Sequence, residues 1–125
     1  AARIGRAQLR QLPGAGPRRH LCVPRGRGVA LVPVDEVLCF HADQKYVTVR
    51  HVRGEALLSE PLKDLEAEFA DRFVRSHRNA LVACDWIEAL ERRADGGWQL
   101  RLRGGHGALP VSRRHLTGVR RRIGH

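Results

Sequence analysis

The chain has 125 residues, 42% of them hydrophobic and 29% charged, which fits one small globular domain with a modest core. Lys and Arg number 23 against 13 Asp and Glu, a formal charge of +10, with a pI near 11.3. That balance excludes a plain small-molecule enzyme as its explanation and points to a polyanionic partner, because neutralising phosphates with Lys and Arg releases counterions.

In chain order, residues 1–19 read as an interdomain linker. Ile4, Ala7, Leu9 and Leu12 are spaced for a short helix, and Pro13-Gly14-Ala15-Gly16-Pro17 breaks it. The chain starts without Met, so a second domain is expected ahead of this linker. From His20 the pattern is β. His20–Pro24 and Val29–Val32 predict a hairpin around Arg25-Gly26-Arg27-Gly28. Pro33–Glu36 turns, and Val37-Leu38-Cys39-Phe40, apolar without alternation, predicts a strand buried on both faces. His41–Lys45 is a polar loop. Tyr46–Val52 alternates and is β-branched, and Glu55–Ser59 returns after Arg53-Gly54.

Pro61 opens a helix with Leu62, Leu65 and Phe69 on one face and Asp64, Glu66 and Glu68 on the other. That acidity predicts a structural brace. Phe73–Val82 is apolar at both ends with five polar residues between, Arg75-Ser76-His77-Arg78-Asn79. This predicts a loop pinned to a core that presents side chains able to fork onto base edges. A polar turn whose His and Asn satisfy their own backbone fits those residues equally. Trp86–Arg93 and Trp98–Arg103 flank Asp95-Gly96-Gly97 as a second hairpin. Gly104–Gly107 turns, Ala108–Val111 is a last strand, and Ser112–Ile123 predicts a helix with Ser112 as N-cap and Leu116, Val119 and Ile123 facing the core. Its Arg120-Arg121-Arg122 reads as a solvated face adding nonspecific attraction. In sum: a mainly β chain of nine or ten short strands in antiparallel sheets with two short helices.

Cys22, Cys39 and Cys84 are odd in number and make no CxxC, so buried reduced thiols are expected, with no metal and no cofactor. No apolar run reaches membrane-span length and no signal-peptide core is present. The expectation is a soluble, cytoplasmic protein with no membrane partner.

Phe73-Val74-Arg75-Ser76-His77-Arg78-Asn79 resembles the F-x-R-x-H-[RN]-[SN] signature of the LytTR DNA-binding domain. Val37–Val47 is similar to that family's opening strand–loop–strand. Leu62-Lys63-Asp64-Leu65-Glu66 resembles its S-L-x-x-L-E helix, with Pro61 in place of Ser. Leu109-Pro110-Val111-Ser112-Arg113-Arg114 resembles its closing block. Together the blocks cover residues 20–125, and their wording is nearest to the alginate-regulator type of response regulator. The resemblance implies an elongated set of small antiparallel β-sheets whose loops enter successive DNA grooves. It implies a place in a two-component phosphorelay, behind an amino-terminal receiver domain phosphorylated by a histidine kinase. It also implies binding to promoter repeats as a dimer on DNA.

Carried over residue by residue, the resemblance implies base contacts from Lys45, Arg78 and Arg113. It gives phosphate or supporting roles to Gln44, Arg75, His77, Asn79, Arg114 and His115, and no catalytic residue. The family often has Asn at the position of Arg78, which leaves the base preference open. On the residues alone, His77 reads as a locally hydrogen-bonded strand-edge imidazole. An RNA-binding module shares the basic charge, but Phe40, Phe69, Phe73 and Trp86 occupy core-like positions, leaving Tyr46 and Trp98 for base stacking. An enzyme would need a phosphate loop, a metal-ligand spacing or a nucleophile elbow, and none is present.

Overall fold

The computed structural model describes residues 16–124. The unalternating run Val37–Phe40 lies in β3 (Val37–Ala42), the middle strand of a five-stranded antiparallel sheet. Its neighbours are β4 (Val47–His51) and β7 (Ala80–Ala83); beyond them lie β5 (Gly54–Leu58) and β6 (Phe73–His77), in the order β5-β4-β3-β7-β6. A register shift between Val37 and Cys39 explains the missing alternation. Such a bulge inserts one extra residue and breaks the two-residue period. Leu38 and Cys39 both join one apolar cluster, while Val37 and Phe40 join the other.

Each face of this sheet is covered. On the first, β1 (His20–Arg25) and β2 (Gly28–Pro33) form a two-stranded hairpin that contributes Leu21, Val23 and Val32. Helix α1 (Leu62–Glu68) adds Leu62 and Leu65 beside the packed rings of Phe40, Phe69 and Phe73, with centroids 5.0–6.1 Å apart. On the second face, β8 (Ile87–Arg92), β9 (Trp98–Leu102) and β10 (Ala108–Val111) make a three-stranded sheet in the order β10-β9-β8. Ile87, Leu100, Leu102 and Val111 meet Leu38, Val74 and Val82 there, and α2 (Arg113–Ile123) closes the cluster with the buried Val119. Among the described residues, three small antiparallel sheets with two α-helices match the predicted mainly β class. No helix of the described residues is long and apolar enough to cross a membrane.

Several local expectations change. The predicted helix around Ile4 to Leu12 lies outside the described residues. Glu68 is not on a polar face: it is buried, and Arg18 bonds both of its carboxylate oxygens at 2.7 and 2.9 Å. Arg18 also reaches Glu60 at 2.8 and 3.0 Å. Burial works against the Arg18 charge, but the hydrogen bonds and charges of Glu68 and Glu60 together outweigh it and raise its pKa. Cys22 is exposed rather than buried, because β1 turns its alternate side chains outward; Cys39 is buried and Cys84 half-buried. Burial pushes the Cys39 and Cys84 thiols up.

Candidate nucleic-acid interface

The antiparallel order of the large sheet sends the β3–β4 loop and the β6–β7 turn to the same end. His41 pairs with Ala80, Ala42 with Val47 and His77 with Ala80. The two connections are joined directly: the Ala42 amide donates to the Asn79 carbonyl at 2.8 Å.

In the β3–β4 loop, Asp43 shapes the backbone. Its Oδ1 accepts the amides of Lys45 and Tyr46, both at 2.9 Å, and its own amide donates to the Tyr46 carbonyl. This is the local turn that Asp favours. Those two amide bonds, Tyr46 first, hold the Asp43 carboxyl below its usual range. With the backbone fastened, Gln44 and Lys45 extend into solvent.

The β6–β7 turn has two residues, Arg78 and Asn79. His77 Nδ1 accepts the Asn79 amide at 3.4 Å, a local side-chain-to-backbone bond. Arg75 bonds Glu66 Oε1 at 2.7 and 3.3 Å and donates to the Arg78 carbonyl. Its guanidinium is therefore turned inward, toward α1 and the turn. The Arg78 side chain is exposed and has no hydrogen bond or ion pair among the described residues.

The third segment is the start of α2. A second register shift, between Arg75 and His77, makes Ser76 an extra residue that pairs with nothing on β7. Its carbonyl instead accepts the Ser112 amide at 3.0 Å. The bulge thus ties the amino end of α2 to the strand leading into the Arg78 turn. Ser112 occupies the cap position, but its hydroxyl does not cap the backbone; it bonds His115 Nδ1 at 2.8 Å. Burial first, then the charges of Arg75, Arg114 and His77, lowers the His115 pKa. Arg113 and Arg114 are exposed and unpaired among the described residues. Lys45, Arg78 and Arg113 thus stand on three connected segments at one end of the sheet, with Gln44, Asn79, Arg114 and His115 beside them.

The structure revises the carboxyl-terminal arginines. Arg122 donates to the Phe73 carbonyl at 3.2 Å and to Cys84 Sγ at 3.4 Å, and Arg120 lies 4.8 Å over the Trp98 ring. All three arginines are exposed, as expected of a solvated face, but two of them are also fastened to the domain, since α2 packs along β6. Glu66, Ser76 and Asp43 all shape this end and were not predicted to do so. Asp two residues before Lys45 is a readable turn signal; nothing in the sequence marks Ser76 as a bulge.

The model of the LytTr DNA-binding domain matches residues 27–124. This chain belongs to the LytTr DNA-binding domain family. The LytTr match runs from the tip of the β1–β2 hairpin to the end of α2, so it includes all three segments. Among curated proteins, the chain is 54% identical to the positive alginate biosynthesis regulatory protein of Pseudomonas aeruginosa, over 97% of this chain and 52% of that protein. It is 31% identical to the CO-responsive transcriptional regulator RcoM of Rhodospirillum rubrum, over 78% of this chain and 43% of that protein. The chain thus spans about half the length of these relatives. A solved LytTr DNA-binding domain from Bacillus cereus superposes with a TM-score of 0.77 at 22% identity, covering 86% of this chain and 99% of that one, which establishes the shared fold. LytTr domains are DNA-binding domains rather than a class of enzymes.

Proposed function

We propose that this chain is the sequence-specific DNA-reading part of a bacterial transcriptional regulator. It would meet duplex DNA through its positive charge and then insert Arg78 and Arg113 into successive major grooves, with Lys45 between base and phosphate. Each guanidinium can fork onto guanine O6 and N7. Gln44, Asn79, Arg114 and His115 would set register on the sugar–phosphate backbone. The observation that carries this reading is the pair of main-chain bonds, Ala42 to Asn79 and Ser112 to Ser76, which fasten three separate segments bearing unpaired cations to one end of one sheet. Most of the aromatic residues favour duplex DNA over unpaired RNA: the three phenylalanines are buried and the Trp98 face is flanked by Arg92 and Arg120, while Tyr46 is exposed.

The relatives extend the proposal. Two of them are named as regulators, and each is about twice as long as this chain. We infer an amino-terminal receiver domain phosphorylated by a histidine kinase, a cytoplasmic location, and binding as a dimer on paired promoter repeats. Selection from a random duplex pool at near-physiological salt, followed by sequencing, tests the reading. A short motif recurring as a spaced repeat is expected. Binding without any enriched motif would leave only nonspecific charge attraction and reject the proposal.

A further inference from the structure

Both carbonyls of the Arg78-Asn79 turn are held by groups outside it. The Asn79 carbonyl accepts the Ala42 amide, and the Arg78 carbonyl accepts the Arg75 guanidinium. Arg75 is in turn gripped by Glu66 on α1, through Nη2 at 2.7 Å and Nε at 3.3 Å. Arg75 is largely covered, with a fifth of its side chain exposed, and its guanidinium is engaged by Glu66 and the Arg78 carbonyl.

We propose that Glu66 and Arg75 form a positioning pair for Arg78, fixing the peptide from which that side chain leaves and so the base it can reach. The inference rests on the reading of Arg78 as a base contact. A guanidinium suits this task because its five donors lie in one rigid plane, so it can bond a carboxylate on one side and a carbonyl on another; an ammonium offers a single point. A contact bidentate to a base edge demands orientation as well as charge, and the supporting shell supplies that orientation before DNA arrives.

The position of Glu66 makes the idea sharply testable. A carboxylate close to a phosphate-binding surface weakens attraction for every duplex. If Glu66 were a bystander, its removal would raise affinity on all sequences alike. If it positions Arg78, its removal lowers discrimination at one base.

The experiment uses the 125-residue chain with four proteins: the parent, Glu66→Gln, Arg75→Lys and Arg78→Ala. Affinities are measured on the enriched duplex and on every single-base variant, with circular dichroism and thermal midpoints recorded in parallel. Arg78→Ala identifies the base pair that Arg78 reads. At that base pair, Glu66→Gln and Arg75→Lys are each expected to lose about 3- to 10-fold of discrimination, a share of what a good bidentate contact provides, and to keep the preference at the base read by Arg113. Unchanged discrimination in both variants, with Arg78→Ala still relaxing its base, overturns the positioning role alone. A uniform loss across all bases that tracks a lowered thermal midpoint assigns the pair to stability and also overturns it. If Arg78→Ala leaves every base preference intact, the reading of Arg78 fails and the inference falls with it.

Discussion

Two hairpin tips of this domain carry arginines on tight turns, and they are built differently. At the β1–β2 tip, Arg25 and Arg27 flank Gly26, which takes a positive φ of 57°. Among the described residues neither side chain has a hydrogen bond or ion pair, and no bond from outside the hairpin reaches that tip. At the β6–β7 tip, Arg78 sits on a turn bonded to β3, to Arg75 and, through the Ser76 bulge, to the start of α2. Both tips are basic, but only the second has its backbone fixed from three directions. Exposed charge attracts a polyanion wherever it lies; reading a base needs a charge whose origin is fixed. The count of 23 Lys and Arg therefore overstates the reading surface, since Arg18, Arg72, Arg75 and Arg101 are held by carboxylates of the same chain.

The largest expected effect separates the two kinds of arginine. Arg113→Ala should lose about 1–3 kcal/mol on the enriched duplex and relax one base position while leaving unfolding unchanged; an equal loss on every sequence would make Arg113 a phosphate contact. Arg18→Ala should show the opposite profile. Its removal takes charge-assisted bonds from Glu68 and Glu60 and should lower stability by about 1–2 kcal/mol in chemical denaturation, with the base preference of the folded protein intact. Next, the double change Arg25→Ala with Arg27→Ala should weaken all duplexes alike by about 0.5 kcal/mol or less and flatten the salt dependence slightly. Any change in base preference there would erase the distinction between the tips.

The smallest effect is titration of His115. Its pKa is lowered in the fold, so the folded state binds fewer protons than the unfolded chain as pH falls below the ordinary imidazole range. Its contribution to stability is present above that range and is lost as pH drops toward the lowered value. Proton-detected titration should show the pKa rising when duplex DNA binds, because nearby phosphates favour the imidazolium. A value unmoved by DNA would remove His115 from the interface.

Much of this was legible in the sequence because period and turn chemistry are local. The alternation of Tyr46–Val52, the Asp95-Gly96-Gly97 turn and the helical spacing of Leu62, Leu65 and Phe69 all gave elements that the structure contains. The F-x-R-x-H pattern by itself pointed to the family. What escaped prediction depends on distant partners. Glu68 looks solvated on its own helix but is buried, and Arg18, fifty residues earlier, returns to bond it. Arg75 reads as a phosphate or supporting residue, and its bonds to Glu66 and the Arg78 carbonyl are visible only in the fold. Ser76 is an ordinary polar residue until a bulge gives its carbonyl to Ser112. Arg122 belongs to a basic run by composition and to the packing of α2 on β6 by structure.

The central claim is that one end of the large sheet reads DNA and the hairpin at the amino-terminal side does not. Mapping backbone amide shifts by NMR while titrating the isotope-labelled chain with the enriched duplex tests this most directly. The account predicts that signals of residues 43–46, 77–79 and 112–115 move together and saturate at one stoichiometry, while those of β1 and β2 stay in place. Shifts concentrated on residues 24–29, or on Arg120 to Arg122 with the Arg78 turn unmoved, would contradict it.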